Sequence, residues 1–573
     1  MAQYSAVGSD HHIAQGASSQ RHEYPLGRWI GALFATLFRE NAMQIDEQHK
    51  EGISVTQSKT TKSTTHWLPR SVLASALLVF GACLVVPLAT VEAQTAPAAY
   101  AAAKNDPVNL RTFLFRMPKG GDLHNHLTGS IYAESYLGWA AEDGKCWDIP
   151  GQSISPGPCA SEQVALAEVF PGGRETPRLS VDPMVDALST RNFRLREESG
   201  HNQFFATFAR FAEASFGRRG EMLAEVTHRA GRQNIVYLEL MQSLGMLEAA
   251  ELGKATADLD AQLGQRVDYA EVDKIAAAVV AQVDAMEAKA RAVNRCDSDA
   301  ASVGCQVKVR YLAQVLRTWD PQEVYVQTVL AYKLIEADPR IVGLNFVAPE
   351  DHPVALRDYR MHMQFIAEIG TLFPEQTKGI TLHSGELALG LVPPENLGWH
   401  ISEAIEVAGA RRVGHAVDIA HTPDLYPLLK KMAAQQIMVE INLTSNDVIL
   451  GIKYPYHPFE LYMEYGVPMA LSTDDEGVSR IDLTHEYQRA AQTLDLSYAR
   501  LRSLSRNALQ YNFLPGDALF DDTYKGKISG PCANQSAAEE LSSGCAAFLD
   551  ASEKAALQWD LEKRFAAFEA SFD

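Results

Sequence analysis

The sequence predicts an α/β fold closed as a (β/α)8 barrel, the TIM barrel architecture. Three observations predict it. Short β-rich apolar runs alternate with segments of helical period, which is the signature of parallel strands joined by crossover helices. Eight such runs fall between residues 111 and 515, enough to close a barrel. Four of the eight end in reactive side chains, as barrel strands do at the face that carries function.

The elements follow in order. Strand one ends in the run Met117-Pro-Lys-Gly-Gly-Asp-Leu-His-Asn-His126. The next strands are expected at 235–240, 307–312, 341–347, 379–383, 412–415, 437–442 and 467–472. Between them, Tyr269 to Asn294 places Ile275, Val279, Val283 and Met286 on one helical stripe. Phe204, Phe205, Phe208, Phe211 and Phe216 recur at the same period and read as a core-facing face. From Cys146 to Pro183 the chain is dense in Pro, Gly and Ser, which predicts an inserted loop after strand one. Residues 94–110 are Ala-rich and read as a linker into the barrel domain of 111–515. Residues 516–573 read as a C-terminal tail, a Cys-flanked loop followed by an amphipathic helix.

The first 93 residues read as a leader. Lys59, Lys62 and Arg70 precede the apolar run 71–89, and Val91-Glu-Ala93 supplies small residues at cleavage spacing. This predicts a secretory signal cleaved after Ala93 and an exported protein. If the run stays uncleaved it anchors the chain in a membrane instead. Six of the seven cysteines form three local pairs, Cys146 with Cys159, Cys296 with Cys305 and Cys532 with Cys545. None has zinc-knuckle spacing, and behind an export signal they read as disulfides, with other pairings of the six open. The net charge of −20 lies wholly outside the leader, whose acidic and basic residues balance. So acidic a chain is a poor nucleic-acid binder.

The chemistry sits at the strand ends. His124 and His126 are two apart on a strand, so both imidazoles share a face and supply half of a zinc site. Strand five ends in His383-Ser-Gly-Glu386, strand six in Gly414-His415 and strand eight in Ser472-Thr-Asp-Asp-Glu476. Alone, each is an ordinary polar strand end. Together, three histidines and an aspartate make a one-metal site with a position left for water, and Glu386 and His415 stand beside it as acid/base groups.

Taken in sequence, Met-Pro-Lys-Gly-Gly-Asp-Leu-His-Asn-His, His-Ser-Gly-Glu, Arg-Val-Gly-His and Ser-Thr-Asp-Asp resemble the adenosine deaminase family of zinc amidohydrolases. The Met-Pro-Lys-Gly start, Phe346-Val-Ala-Pro-Glu-Asp351 and a disulfide-bearing insertion after strand one resemble its secreted, growth-factor-like branch. The resemblance implies that His124, His126, His383 and Asp474 hold one Zn²⁺ per subunit. It implies that Glu386 protonates purine N1, that His415 orients the attacking water and helps move its proton, and that Asp475 holds that water and bonds purine N7. Strand four ends without the bridging lysine of two-metal relatives, which favours one zinc. Two positions depart from the family pattern. Thr128 stands where an aspartate grips the ribose, and Ala348, followed by Pro349, stands where a glycine N–H meets purine N3.

The expected activity is hydrolytic deamination of adenosine and 2′-deoxyadenosine, with a small purine nucleoside as partner. A neighbouring expectation is another 6-aminopurine; a phosphate-bearing one would call on Arg174 and Arg178 in the insertion. An expectation of another class is a catalytically silent nucleoside-binding or signalling protein.

Overall fold

A computed structural model describes residues 95–170, 181–256, 263–537 and 539–572. The leader, the apolar run 71–89 and Ala93 lie outside the described residues, as do Arg174 and Arg178. Among the described residues no helix is long and apolar enough to cross a membrane.

Eight strands form the barrel: β1 (Gly121–His126), β2 (Tyr237–Gln242), β3 (Lys308–Leu316), β4 (Ile341–Val347), β5 (Thr381–Ser384), β6 (Arg412–His415), β7 (Met438–Ile441) and β8 (Met469–Leu471). Parallel ladders join β1 through β4 and β5 through β8 in chain order. Two single bridges complete the ring. Leu344 pairs with Ile380 between β4 and β5, and Asn125 pairs with Asp474, just past β8. The closing seam is sewn twice more, by Asp474 N–H donating to the His124 carbonyl at 2.8 Å and His126 N–H donating to the Asp474 carbonyl at 3.0 Å.

Helices cover the barrel, among them Arg219–Arg232, Tyr269–Val293, Pro321–Ala337 and Pro353–Gly370 between successive strands and Tyr498–Gln510 after the last. Their ends follow local chemistry. Asp320-Pro-Gln-Glu323 opens one helix with a capping box and a proline at the first turn, where the missing N–H costs nothing. The strands are buried on both faces, which explains their near-continuous apolar runs.

Three stretches carry more structure than the sequence reading specified. The stretch expected as a linker holds the helix Ala96–Ala103 and the start of Pro107–Arg116, with Tyr100 and Leu110 buried in the main core. The described part of the expected insertion contains a small sheet. Cys146–Asp148 pairs antiparallel with Ser153–Ser155 and Gln163–Ala165, and the Cys146–Cys159 disulfide clips this small sheet. The C-terminal helix Glu553–Ala570 docks, because Leu561, Phe565 and Phe568 repeat at helical spacing and join the main core. The other two cysteine pairs are bonded as well, Cys296–Cys305 and Cys532–Cys545.

The Met-Pro-Lys-Gly start has a structural use. Lys119 is buried, and its ammonium donates to the carbonyls of Met117 at 3.0 Å and Gln233 at 2.8 Å. It ties the entry of β1 to the chain leading into β2. Gly120 then takes φ +51°, and a side chain there would collide with the Ser505 carbonyl.

Candidate active site

The ends of β1, β5, β6 and β8 converge on one buried cluster. On β1, His124 and His126 point inward while Asp122 and Asn125 lock the seam. Thr473 Oγ1 donates to Asp122 at 2.6 Å, and Asn125 Nδ2 donates to Thr473 Oγ1 at 3.0 Å. The Nε2 atoms of His124 and His126 lie 3.0 and 3.2 Å from Nε2 of His383. Asp474 Oδ1 lies 3.4 Å from His124 Nε2 and 3.3 Å from His126 Nε2. These four separations are close to the edge of a tetrahedron about a zinc ion, about 3.3 Å for bonds near 2 Å.

Each histidine is oriented from behind. Glu440 Oε2 lies 2.6 Å from His124 Nδ1, and Asn345 Oδ1 lies 2.6 Å from His383 Nδ1. Both partners accept, so each Nδ1 carries the proton and each Nε2 presents a lone pair to the cluster. The Gln314 amide lies 2.5 Å from His126 Nδ1. The Asp474 Oδ2 oxygen is taken by the Ser445 hydroxyl at 2.6 Å, leaving Oδ1 for the cluster. The donor set, with its outer partners, fits a zinc-type cation.

The backbone is strained here. Asp474 and His415 sit at φ +62° and +67°, a region that costs a non-glycine residue about 1 kcal/mol or more. Gly414 is required for a different reason: a Cβ on it would stand 2.7 Å from His124 Cε1.

Three carboxyl groups share the pocket and are pushed apart in acidity. Burial raises Asp474, but the imidazoles of His124 and His126 beside it outweigh burial and hold the group well below its usual range. Burial, then the neighbouring Asp474, pushes Asp475 well above its usual range. Burial, then Asp474 and Glu350, does the same to Glu386. Glu386 Oε1 and Asp475 Oδ1 are buried without a hydrogen-bond partner. Glu386 is aimed by Glu350, whose carboxylate accepts the N–H groups of Gly385 and Glu386 at 3.0 and 2.8 Å and is held by His400 at 2.5 Å.

Of the expected site residues, His124, His126, His383, Glu386, His415, Asp474 and Asp475 are thus brought together. Ala348 follows β4 at φ +83°, a glycine-like conformation. Its carbonyl accepts from Arg317 Nε at 2.9 Å, and Arg317 also donates to the His383 carbonyl at 3.1 Å. Thr128 is half-buried just past β1, its carbonyl accepting from the Tyr136 hydroxyl at 2.7 Å. None of the described hydrogen bonds ties its side chain to the cluster. The sequence reading missed Glu440, Asn345, Gln314, Ser445, Glu350 and Arg317. A charged or amide residue inside an apolar strand, as in Ile437-Met-Val-Glu-Ile-Asn442, was the available signal.

Fold and site define a parallel barrel with a buried His/Asp metal-type centre at its strand ends. The sequence model of the adenosine deaminase family matches residues 225–521, over half of the chain, and the chain belongs to that family. His124 and His126 lie before that span, and the fold brings them to the residues within it. An adenosine deaminase of Shewanella loihica is 37% identical over 211 residues, 36% of this chain and 57% of that protein. One of Shewanella denitrificans is 37% identical over 136 residues, 24% of this chain and 38% of that protein. The chain therefore spans about half the length of these relatives. Solved structures of adenine deaminase from Arthrobacter aurescens (16% identity, 70% of this chain and 94% of that one, TM-score 0.45) and N6-methyl-AMP deaminase from Arabidopsis thaliana (20%, 71% and 94%, 0.44) are also similar.

Proposed function

We propose that this protein is an exported, zinc-dependent adenosine deaminase that hydrolyses adenosine and 2′-deoxyadenosine to inosine products and ammonia. Family membership supports the reaction class. The observation that carries the reading is the pairing of a four-donor centre with two hard-to-ionise carboxyls beside it, each with one oxygen left without a hydrogen bond. His124, His126, His383 and Asp474 would hold the ion. The chemistry zinc supplies when bound is to acidify water near neutral pH.

The chain's own residues do the rest. Purine N1 and N7 carry lone pairs and no proton, so a carboxyl that bonds either must itself hold a proton. The raised Glu386 meets that need at N1, where proton delivery weakens the ring toward addition at C6. The raised Asp475 meets it at N7. Glu350 fixes the Glu386 backbone so that its free oxygen is pre-aimed. The three disulfides support an oxidising destination.

The test is the ultraviolet spectrum of adenosine over time with purified protein, before and after chelation and after zinc is restored. Conversion to the inosine spectrum that stops on chelation and returns with zinc is the expected result. Zinc-loaded protein that leaves adenosine unchanged would overturn the substrate assignment. Folded, oxidised protein that takes up no zinc would overturn the metal assignment.

A further inference from the structure

A directed chain of hydrogen bonds enters the His415 ring from the segment after β7. It starts at the Phe459 N–H, which donates to His457 Nδ1 at 3.2 Å. His457 Nε2 lies 3.0 Å from Asn446 Oδ1, and Asn446 Nδ2 lies 2.9 Å from His415 Nδ1. A backbone N–H can only donate, so every later direction is fixed in turn. His457 Nδ1 accepts, which leaves its proton on Nε2. Nε2–H needs an acceptor, which must be the Asn446 oxygen. The Asn446 NH₂ group therefore faces His415, and His415 Nδ1 must accept. The proton of a neutral His415 is then on Nε2, which faces Asp474 Oδ2 at 3.8 Å.

Other neighbours do not reverse this order. The Asn442 amide nitrogen is 3.5 Å from both ring nitrogens of His415 and selects neither. Glu386 Oε1 is 3.5 Å from His415 Nδ1, beyond the Asn446 contact. His457 is 4% exposed, and burial pushes its imidazole down to about 4, so it stays neutral with one donor and one acceptor.

We propose that Asn446 and His457 are positioning residues that lock His415 as its Nε2–H tautomer, so that it faces the reacting centre as a hydrogen-bond donor. Three consequences follow. His415 orients the attacking oxygen by donating to it and is not the group that takes that oxygen's proton. The chain cannot relay a proton outward, because the Asn446 NH₂ group has no lone pair to receive one. The lock also separates His415 from the other three histidines. Its nitrogen lies within 4.8 Å of the Asp474, His124 and His383 donors, yet the tautomer denies it a lone pair for the metal. The proposal rests on the cluster being the active site, as argued under Proposed function.

Two measurements test it. Nitrogen-15 spectra of histidine-labelled, zinc-free protein, with His415 assigned by comparison with His415→Gln, should show His415 protonated at Nε2. A proton on Nδ1 would overturn the lock whatever the protein turns over. The second is steady-state kinetics of Asn446→Asp against Asn446→Ala. The aspartate can only accept, so it demands the opposite tautomer. We expect kcat to fall about 100-fold in Asn446→Asp, about tenfold further than in Asn446→Ala, with KM little changed. Equal losses in the two variants would overturn the role of direction. His457→Phe, which frees the Asn446 amide to turn, should lose about threefold to tenfold in kcat at unchanged KM and melting temperature. Wild-type kcat there would remove His457 from the chain. If wild-type protein deaminates no aminopurine, the functional reading fails, and the nitrogen spectra still decide the tautomer.

Discussion

Two layers of charge lie inside the same barrel, one above the other. In the lower layer, Arg412 donates from Nε to Glu440 Oε1 at 2.6 Å and pairs with Glu239 Oε2 at 2.7 Å, off the axis of a hydrogen bond. Glu440 also accepts from Thr381 at 2.8 Å, and Glu239 Oε1 accepts from the Tyr237 hydroxyl and the Phe513 N–H, each at 2.8 Å. Burial alone would raise Glu440, but Arg412 and His124 pull it down to about 2. In the upper layer, neither Glu386 nor Asp475 makes an ion pair with an arginine or lysine among the described residues, and each keeps an open oxygen. Glu239 Oε2 also lacks a hydrogen bond, so what sets the lower layer apart is its arginine: carboxylates paired with a buried cation are scaffold. Those left hungry in a dry pocket are set for a ligand.

The contrast can be broken in stages. The largest effect belongs to the upper layer. Glu386→Gln should keep zinc at wild-type stoichiometry, measured by elemental analysis, while kcat falls by about three orders of magnitude. Retention of wild-type rate would remove Glu386 from the mechanism. Glu440→Gln should do the reverse in kind. It leaves Arg412 under-paired and His124 without its anionic partner, so stability in urea falls by about 3 kcal/mol and zinc affinity by about 10-fold to 100-fold. Gly414→Ala, which pushes a methyl against His124, should weaken zinc several-fold and cost about 1–3 kcal/mol.

The smallest effect is a pH window. The folded-state acidity of Glu440 is depressed, to about 2 from an ordinary value near 4.5. The charged form therefore stabilises the fold above pH about 4.5, and that stability is lost as pH falls toward 2. The gap in acid stability between wild type and Glu440→Gln should narrow across that window. A gap that stays constant down to pH 2 would mean that Glu440 is not ionised in the fold.

The upper layer was the legible one. His124, His126, His383, His415, Asp474 and Asp475 stand at strand ends, where an apolar run stops and a reactive residue follows, so position and chemistry both flag them. The lower layer hides inside runs that read as plain strand. Glu239 and Glu440 were counted as strand residues, because nothing local says which arginine will reach them from a strand 173 or 28 positions away. Gln314 was missed because β3 was expected to stop at Leu312, whereas pairing with β4 carries it to Leu316. The helix at 96–103 was missed because an alanine-rich stretch has little periodic contrast; Tyr100, bonded to the Leu496 carbonyl at 2.6 Å, helps pin it.

Asp474 has two duties. Its side chain joins the cluster with the first strand's histidines, and its backbone closes the ring against that same strand. An ion held there is therefore a clasp between the first and last strands, nearly 350 residues apart in the chain. Whatever opens the seam releases the ion, and whatever binds the ion tightens the seam. Amide hydrogens of His126 and Asp474 should thus report metal occupancy by their exchange with deuterium, slow in the loaded protein and the first to quicken when zinc is withdrawn.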